Sequence, residues 1–283
     1  MKIRESHVTL APPFTFLLVF FILPLIIIFV ISLGERSATS LVNLRLNIDN
    51  YLRILDPLYL KVLWRSIWYA LTATVLCLAL GFPIAYYMTF SPPRQKLILM
   101  FLILVPFWTN FLVRIFAWLT ILGRQGIVND LLIWSGVIHE PLQLLHTPGA
   151  VIVGLVYGEL PFMVLPLVAA LDRMDPALLE AATDLGANRW QAFRRVAVPL
   201  SIPGIIAGCI FVFVPSLGSF VVPDILGGSD SFMIGNTIKN QFMTVRDWPF
   251  GSAISMLLLL VVTLGVSSYL RNSRDKMSIG EYL

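Results

Sequence analysis

Six stretches of this chain are apolar over enough residues to cross a lipid bilayer, and they cover residues 12–33, 66–90, 97–122, 148–171, 201–224 and 251–270. A spanning helix needs about 20 mostly apolar residues, because a backbone in lipid must satisfy its own hydrogen bonds. Only 13% of the 283 residues are charged, against about 25% in soluble domains. The sequence therefore predicts an all-α integral membrane protein, with six transmembrane helices in a single domain over residues 1–283.

Lys and Arg are distributed unevenly between the segments that join these stretches. They are denser in the N-terminal segment, the 91–96 loop, the 172–200 loop and the tail than in 34–65, 123–147 and 225–250. Because basic residues are enriched on the cytoplasmic side of membrane proteins, we expect both termini and the 172–200 loop to be cytoplasmic. The long 34–65 loop is also basic and is expected to form a small external element. The net charge of +4 follows from this topology, and we predict no nucleic-acid partner.

The 172–200 loop, although bracketed by apolar sequence, carries the signals of two short helices joined by a turn. The pair Asp175-Pro176 favours a helix start, because the carboxylate accepts from free amides and proline has no amide hydrogen to leave unpaired. Gly186 favours the end of this helix, where a left-handed backbone suits glycine. Asn188 and Gln191 have the spacing of a capping box, which predicts a second helix.

Pro199 is expected to end this second helix, since proline cannot continue the hydrogen-bond ladder. Each helix has an apolar face, formed by Leu178, Ala181, Ala182 and Leu185 on the first helix and by Trp190, Phe193 and Ala197 on the second. Such a helical hairpin suits insertion into a groove of another protein. The alternative is an amphipathic element that lies on the bilayer surface.

The residues of this loop also match a known motif, which consists here of Glu180-Ala181-Ala182, Gly186 and Val196-Ala197-Val198-Pro199. It resembles the EAA loop of type I ABC-importer permeases. Val196 and Val198 stand where that motif usually has Ile and Leu, and both keep an apolar contact. The resemblance implies that Glu180, Ala181, Ala182, Gly186 and Pro199 belong to a coupling-helix pair that docks in a cleft of a cytoplasmic ATPase.

Segments elsewhere in the chain extend the resemblance, including LDPLY (55–59), VPFWTNFLVRIFAW (105–118), GLVYGELPFMVLPL (154–167), PGIIAG (203–208), PDILGG (223–228) and RDWPFGSA (246–253). They are similar to the first permease subunits of spermidine/putrescine importers. The resemblance implies a polyamine permease of the bacterial cytoplasmic membrane. Its implied partners are a second homologous permease subunit, a dimer of ATPase subunits and an extracytoplasmic polyamine-binding protein.

The sequence contains no G-x-x-x-x-G-K-S/T motif for binding nucleotide phosphates. We therefore expect a transport subunit that is not itself an enzyme, with ATP hydrolysed by a partner. No cofactor, catalytic residue or metal site is predicted. Three alternatives stay open at this point, namely an ABC permease for another small solute, a stand-alone ion-coupled transporter, and a membrane scaffold or receptor.

Polar residues inside the predicted third and fourth spans are candidates for a substrate path, because charges in a membrane are costly and usually functional or paired. A rise of about 1.5 Å per residue places Asn110, Arg114 and Glu159 in one layer near the middle of the membrane. In one interpretation Glu159 binds an ammonium group of a polyamine, and Trp108 or Tyr157 offers a cation–π face. In the other, Arg114 and Glu159 form a structural pair.

Asp224 lies at the end of the predicted fifth span, near its external mouth. An acid at this place would meet cationic cargo or a binding protein. It is equally well explained as a solvated residue at the edge of a loop.

Overall fold

The computed structural model describes residues 12–13, 15–36, 43 and 47–280, with side chains to residue 269. The N-terminal Lys2 and Arg4, the loop residue Arg45 and the side chains of the basic tail, which enter the topology argument, lie outside this part. The described chain is helical apart from one antiparallel bridge between Glu35 and Asn43. The predicted all-α class is confirmed.

The helices, in chain order, are α1 (Thr15–Ser32), α2 (Asp49–Ile54), α3 (Pro57–Thr89), α4 (Pro93–Trp108), α5 (Phe111–Leu122), α6 (Ile127–Trp134), α7 (Pro148–Leu171), α8 (Ala177–Asp184), α9 (Arg189–Leu200), α10 (Ile202–Gly218), α11 (Val221–Leu226), α12 (Ile234–Asn240) and α13 (Trp248–Gly280). Turns of π-helix lie at Leu18–Ile22, Phe193–Ala197 and Gln241–Val245, and a 3₁₀ turn lies at Ser229–Ser231. The chain divides into two compact units, residues 1–61 with 237–283, and residues 62–236.

Five helical stretches of the described chain are long and apolar enough to cross a membrane. They are α1, α3, the consecutive helices α5 and α6, α7, and the first part of α13. Helices α9 and α10 add a sixth if they count as one span, although they meet at a bend of 67°. Two of the predicted spans are interrupted in the structure.

The predicted third span, 97–122, is not one helix, because α4 ends at Trp108 and α5 begins at Phe111. Two polar side chains give the backbone other partners at this break. The Thr109 hydroxyl donates to the carbonyl of Pro106 at 2.6 Å, and Asn110 accepts from the amide of Leu112 at 2.8 Å. Short side chains of this kind compete with helical hydrogen bonds. The spanning stretch of this region is Phe111–Trp134.

The predicted fifth span, 201–224, is also interrupted, since α10 ends at Gly218 and a separate helix, α11, follows. Ser219 has an extended backbone at this corner, with ψ of 132°. The buried side chain of Asn236 donates to the carbonyl of Phe220 at 2.9 Å. The carbonyl at this corner therefore receives its hydrogen bond from a side chain that is distant in the sequence, and no local pattern reveals it.

In the unit formed by residues 1–61 and 237–283, α1 and α2 pack against α13. The carboxylate of Asp247 is buried and caps α13 by accepting from the amide of Phe250 at 3.2 Å. Arg53 on α2 pairs with Asp247 at 3.0 Å and lies 4.0 Å above the Phe250 ring. The ion pair and the ring contact fix α2 to the start of α13.

In the unit formed by residues 62–236, α7 and α10 make the closest pairing of long helices. Gly204 and Gly208 on α10 have the small-xxx-small spacing that lets membrane helices approach closely. A Cβ atom on Gly204 would lie 2.5 Å from Cβ of Ala170 and 2.7 Å from the carbonyl oxygen of Pro166. The backbones therefore leave no room for a side chain at this position.

Replacing Gly204 by Ala is expected to lower the free energy of unfolding by about 1–3 kcal/mol, because the added methyl group meets a rigid backbone. Thermal unfolding in detergent measures the loss. Gly218→Ala on the same helix is the matched control, since a Cβ there meets no atom within 4 Å. Equal melting temperatures for the two variants would contradict the close approach.

Candidate functional site

The 172–200 loop forms a helical hairpin, which consists of α8, a turn at Gly186 and α9. The Asp175 carboxylate accepts from the amide of Ala177 at 2.9 Å, so the predicted helix start is confirmed. At the other end, the amide of Ala187 donates to the carbonyl of Ala182 and the amide of Gly186 to that of Thr183. These two bonds form a Schellman motif.

Gly186 has φ of +89°, in the region that favours glycine, so the predicted helix stop is confirmed as well. The second helix begins with the predicted capping box. Asn188 accepts from the amide of Gln191 at 2.8 Å, and the Gln191 side chain accepts from the amide of Asn188 at 2.9 Å. Backbone bonds at Gly186 and side chain–backbone bonds of the capping box therefore close the two ends of the turn, and we expect a rigid hairpin.

The prediction that Pro199 ends the second helix was wrong, because α9 continues through it to Leu200. A π-helical turn precedes the proline, and there the amide of Val198 donates to the carbonyl of Phe193, five residues back. We attribute the continuation to this wider turn, which accommodates a residue without an amide hydrogen. The helix ends at Leu200, one residue after the proline, and the chain bends at Ser201 into α10.

Phe193 anchors the hairpin to the rest of its unit. Its ring makes edge contacts with Phe82 at 5.4 Å and with Tyr86 at 5.2 Å, both on α3. Ala192 and Ala197 on the same helix are buried. The sequence interpretation missed this anchor, although the i, i+4 spacing of Phe82 and Tyr86 indicates that both rings lie on one face of α3.

Large apolar side chains of the hairpin are nevertheless exposed. Leu185 is 89% exposed and Trp190 is 67% exposed, although Trp190 stacks on the Phe193 ring at 5.3 Å. Leu178 and the carboxyl-bearing Glu180 on α8 are also exposed. A rigid hairpin that presents a large aliphatic and a large aromatic side chain has the form of a helix-in-groove ligand.

An ion pair lies at the base of the hairpin. The ammonium group of Lys96, in the first turn of α4, contacts both carboxylate oxygens of Asp172 at 2.6 Å. Asp172 is the residue that follows α7 and begins the loop. The pair is partly exposed, with 26% and 37% of the two side chains accessible. Exposed pairs contribute about 1 kcal/mol or less, so it orients the loop more than it stabilises the fold.

Arg114 on α5 lies among three aromatic rings, and we call this cluster of Phe107, Phe111 and Tyr157 the aromatic box. The guanidinium carbon of Arg114 is 5.3 Å, 5.6 Å and 5.9 Å from the respective ring centroids. Each such contact is worth about 0.5–2 kcal/mol, depending on how far it is removed from water. The Tyr157 face that was considered for a substrate is therefore already occupied by a cation of the chain itself.

Arg114 and Glu159 interact electrostatically, but they do not form a contact ion pair. The ion pairs in the described part of the chain are Arg53–Asp247 and Lys96–Asp172. The Oε2 atom of Glu159 and the Nε atom of Arg114 are buried, and neither has a hydrogen-bond partner among the described residues. The structural pair between them therefore stays a prediction, as does the binding of cargo by Glu159.

The other three candidates for a substrate path do not form one site, and each has its own surroundings. Trp108, the last residue of α4, is 75% exposed. Asn110 caps α5 through the amide of Leu112. Asp224 on α11 accepts from the side chain of the buried Asn236. The structure thus brings Tyr157 and Arg114 together and places Asp224 in a separate polar cluster.

Comparisons with known proteins agree with the motifs of the sequence. A model of the family described as binding-protein-dependent transport system inner membrane component matches residues 78–274. The spermidine/putrescine transport system permease protein PotB of Escherichia coli (strain K12) is 47% identical over 258 residues, which are 91% of this chain and 94% of that protein. PotB of Haemophilus influenzae is 42% identical over 271 residues, with 96% and 95% covered. The predicted resemblance is confirmed.

Solved structures support the same fold. A chain of a bacterial alginate ABC transporter, in complex with an alginate pentasaccharide-bound periplasmic protein, aligns with a TM-score of 0.74 at 20% identity and covers 96% of this chain and 94% of its own length. The MetNI methionine ABC transporter aligns with a TM-score of 0.58 at 18% identity, over 76% of this chain and 94% of that one. At these identities the likeness concerns the fold alone.

Replacing Phe193 by Ala is expected to loosen the hairpin, because its ring is the link to Phe82 and Tyr86 on α3. Amide hydrogen exchange in α8 and α9 should become faster by on the order of tenfold. Leu185→Ala is the matched control, since that side chain is almost fully exposed. Unchanged exchange in the Phe193 variant would show that the hairpin is held by other contacts.

Proposed function

Since this chain belongs to the family of binding-protein-dependent transport system inner membrane components, we propose that it is the permease subunit through which an ATP-driven importer carries polyamines across a bacterial cytoplasmic membrane. Its partners are then a second homologous permease subunit, two ATPase subunits and an extracytoplasmic polyamine-binding protein. Relatives at 42% and 47% identity over most of the chain are named for spermidine and putrescine transport, which supports this cargo.

The observation that carries the proposal is the exposed apolar side of the rigid hairpin. Leu185 and Trp190 are held in water by a turn that is hydrogen-bonded on both sides. Exposed apolar groups on a rigid support indicate a protein partner. In the proposed complex this part of the hairpin docks on the ATPase. The docking residues include Glu180, Ala181 and Ala182 on α8 and Pro199 near the end of α9.

Coupling in this proposal is mechanical. The ATPase subunits close on ATP and move the hairpin as a rigid body, which shifts the spans between inward-open and outward-open packings. Phe193 transfers the movement to α3, and the bend at Ser201 transfers it to α10. Both termini and the hairpin then lie on the cytoplasmic side, in agreement with the density of Lys and Arg.

Uptake of radiolabelled spermidine and putrescine tests the proposal in cells that lack the gene. The wild-type chain should restore uptake, and Glu180→Lys should abolish most of it at normal membrane levels, because the charge reversal lies on the docking side. Glu140→Lys, an equal charge change at an exposed residue of another loop, is expected to transport normally. Full polyamine uptake without the gene would remove the cargo assignment, and full uptake by Glu180→Lys would remove the docking role.

Within the membrane we propose that cargo enters at the external mouth near Asp224 and then passes Glu159, Trp108 and Asn110. The buried Oε2 atom of Glu159, which has no hydrogen-bond partner among the described residues, supports a role as a ligand for an ammonium group. A buried carboxylate in a membrane is costly, so a hydrogen-bonded cationic partner is expected.

Replacing Glu159 by Gln should raise the apparent KM for polyamine uptake by about tenfold or more, since a charged hydrogen bond is lost. Initial uptake rates over a range of spermidine concentrations measure this change, and Glu140→Gln serves as the control. If uptake kinetics stay unchanged while the melting temperature falls, Glu159 is a structural partner of Arg114 instead.

A further inference from the structure

The aromatic box is a built cation site, although the cation it holds belongs to the chain. Phe107 lies before the break between α4 and α5, and Phe111 and Arg114 lie after it, at i and i+3 on one face of α5. Tyr157 completes the box from α7. Rings that surround a cation from several helices are the geometry with which proteins recognise ammonium ligands.

Neighbouring residues fix the three rings. Phe107 makes an edge contact with Phe162 at 5.1 Å, and Tyr157 makes one with Trp118 at 5.5 Å. Phe111 lies against Gly158, where a Cβ atom would be in ordinary van der Waals contact with its Cε2 atom at 3.5 Å. Contacts that do not involve Arg114 therefore support each ring of the box.

The guanidinium group of Arg114 lacks hydrogen-bond acceptors in this box. A guanidinium group carries five N–H donors and needs acceptors for them. Its Nε atom is buried without an acceptor among the described residues, and neither ion pair of the described chain involves it. Ring faces attract the charge but do not accept these hydrogen bonds in the way that oxygen atoms do. The rings and the carboxylate of Glu159 attract its charge, but no hydrogen bond of the Nε atom has to be broken when another cation takes its place.

We propose that Arg114 is a built-in competitor for the cargo and that the aromatic box is a subsite for one ammonium group of the cargo. This inference rests on the proposed function of polyamine import. Arg114 occupies the box in the empty permease, and an ammonium group of the cargo takes its place during passage. Because Arg114 is tethered, its effective concentration at the box is high. Only a cation that gains further contacts, through other ammonium groups or its methylene chain, displaces it.

The test is equilibrium binding of radiolabelled spermidine to the purified importer, with both permease subunits and the ATPase in nanodiscs and without the binding protein. Arg114→Met removes the charge and keeps an unbranched side chain, so spermidine affinity should rise by about tenfold or more. Arg114→Lys keeps a competing cation and should stay close to wild type. Adding Phe107→Leu to Arg114→Met should reverse most of the gain, since a ring of the box is lost.

Two results would overturn the inference: spermidine affinity that is unchanged or weaker in Arg114→Met, and a gain that survives Phe107→Leu. Arg124→Met, at an exposed arginine of the same region, controls for the loss of a positive charge. Should Arg114→Met fail to assemble, Arg114→Gln carries the same expectation. Tetramethylammonium is the second probe. If wild-type cells import no polyamine, the proposed function fails, but tighter tetramethylammonium binding in Arg114→Met still supports the box as a cation site.

Discussion

The constraint on which this structure depends is that a backbone in lipid must find its hydrogen bonds within the protein. It explains why the described spans are helices and why each interruption is accompanied by a polar side chain. Thr109 and Asn110 satisfy the break between α4 and α5, and Asn236 satisfies the corner after α10. The break in the third predicted span separates Phe107 from Phe111 and Arg114, yet the two ring centroids lie 5.3 Å and 5.6 Å from the Arg114 guanidinium carbon.

Hydrogen bonds also determine the shape of the hairpin at residues 172–200. Its turn is closed by backbone bonds at Gly186 and by the capping box of Asn188 and Gln191. The hairpin packs on α3 through Phe193, and its Leu185 side chain is exposed to water. An element that is rigid, anchored on one side and unpartnered on the other is suited to transmit force between a cytoplasmic motor and the membrane helices.

The hairpin could be predicted from the sequence because its signals are local. A left-handed glycine and a capping box depend on residues within a few positions of one another, and both were confirmed. The break at Thr109 was missed because hydropathy measures apolar content and not backbone partners, so 97–122 was read as one continuous span. The position of the Arg114 guanidinium over the Tyr157 ring could not be predicted. It depends on how α5 and α7 are rotated against each other, and packing rather than composition sets this rotation.

Gly186→Val in the reconstituted importer tests whether the hairpin couples ATP hydrolysis to transport. A branched residue at φ of +89° is strained by about 1–3 kcal/mol and disrupts the turn. Gly136→Val, at φ of +72° in another loop, imposes a comparable strain away from the hairpin. The measurement is the number of polyamine molecules imported per ATP hydrolysed. A ratio that collapses in Gly186→Val while Gly136→Val keeps the wild-type ratio is the predicted result. Equal ratios in both variants and wild type would contradict coupling through this turn.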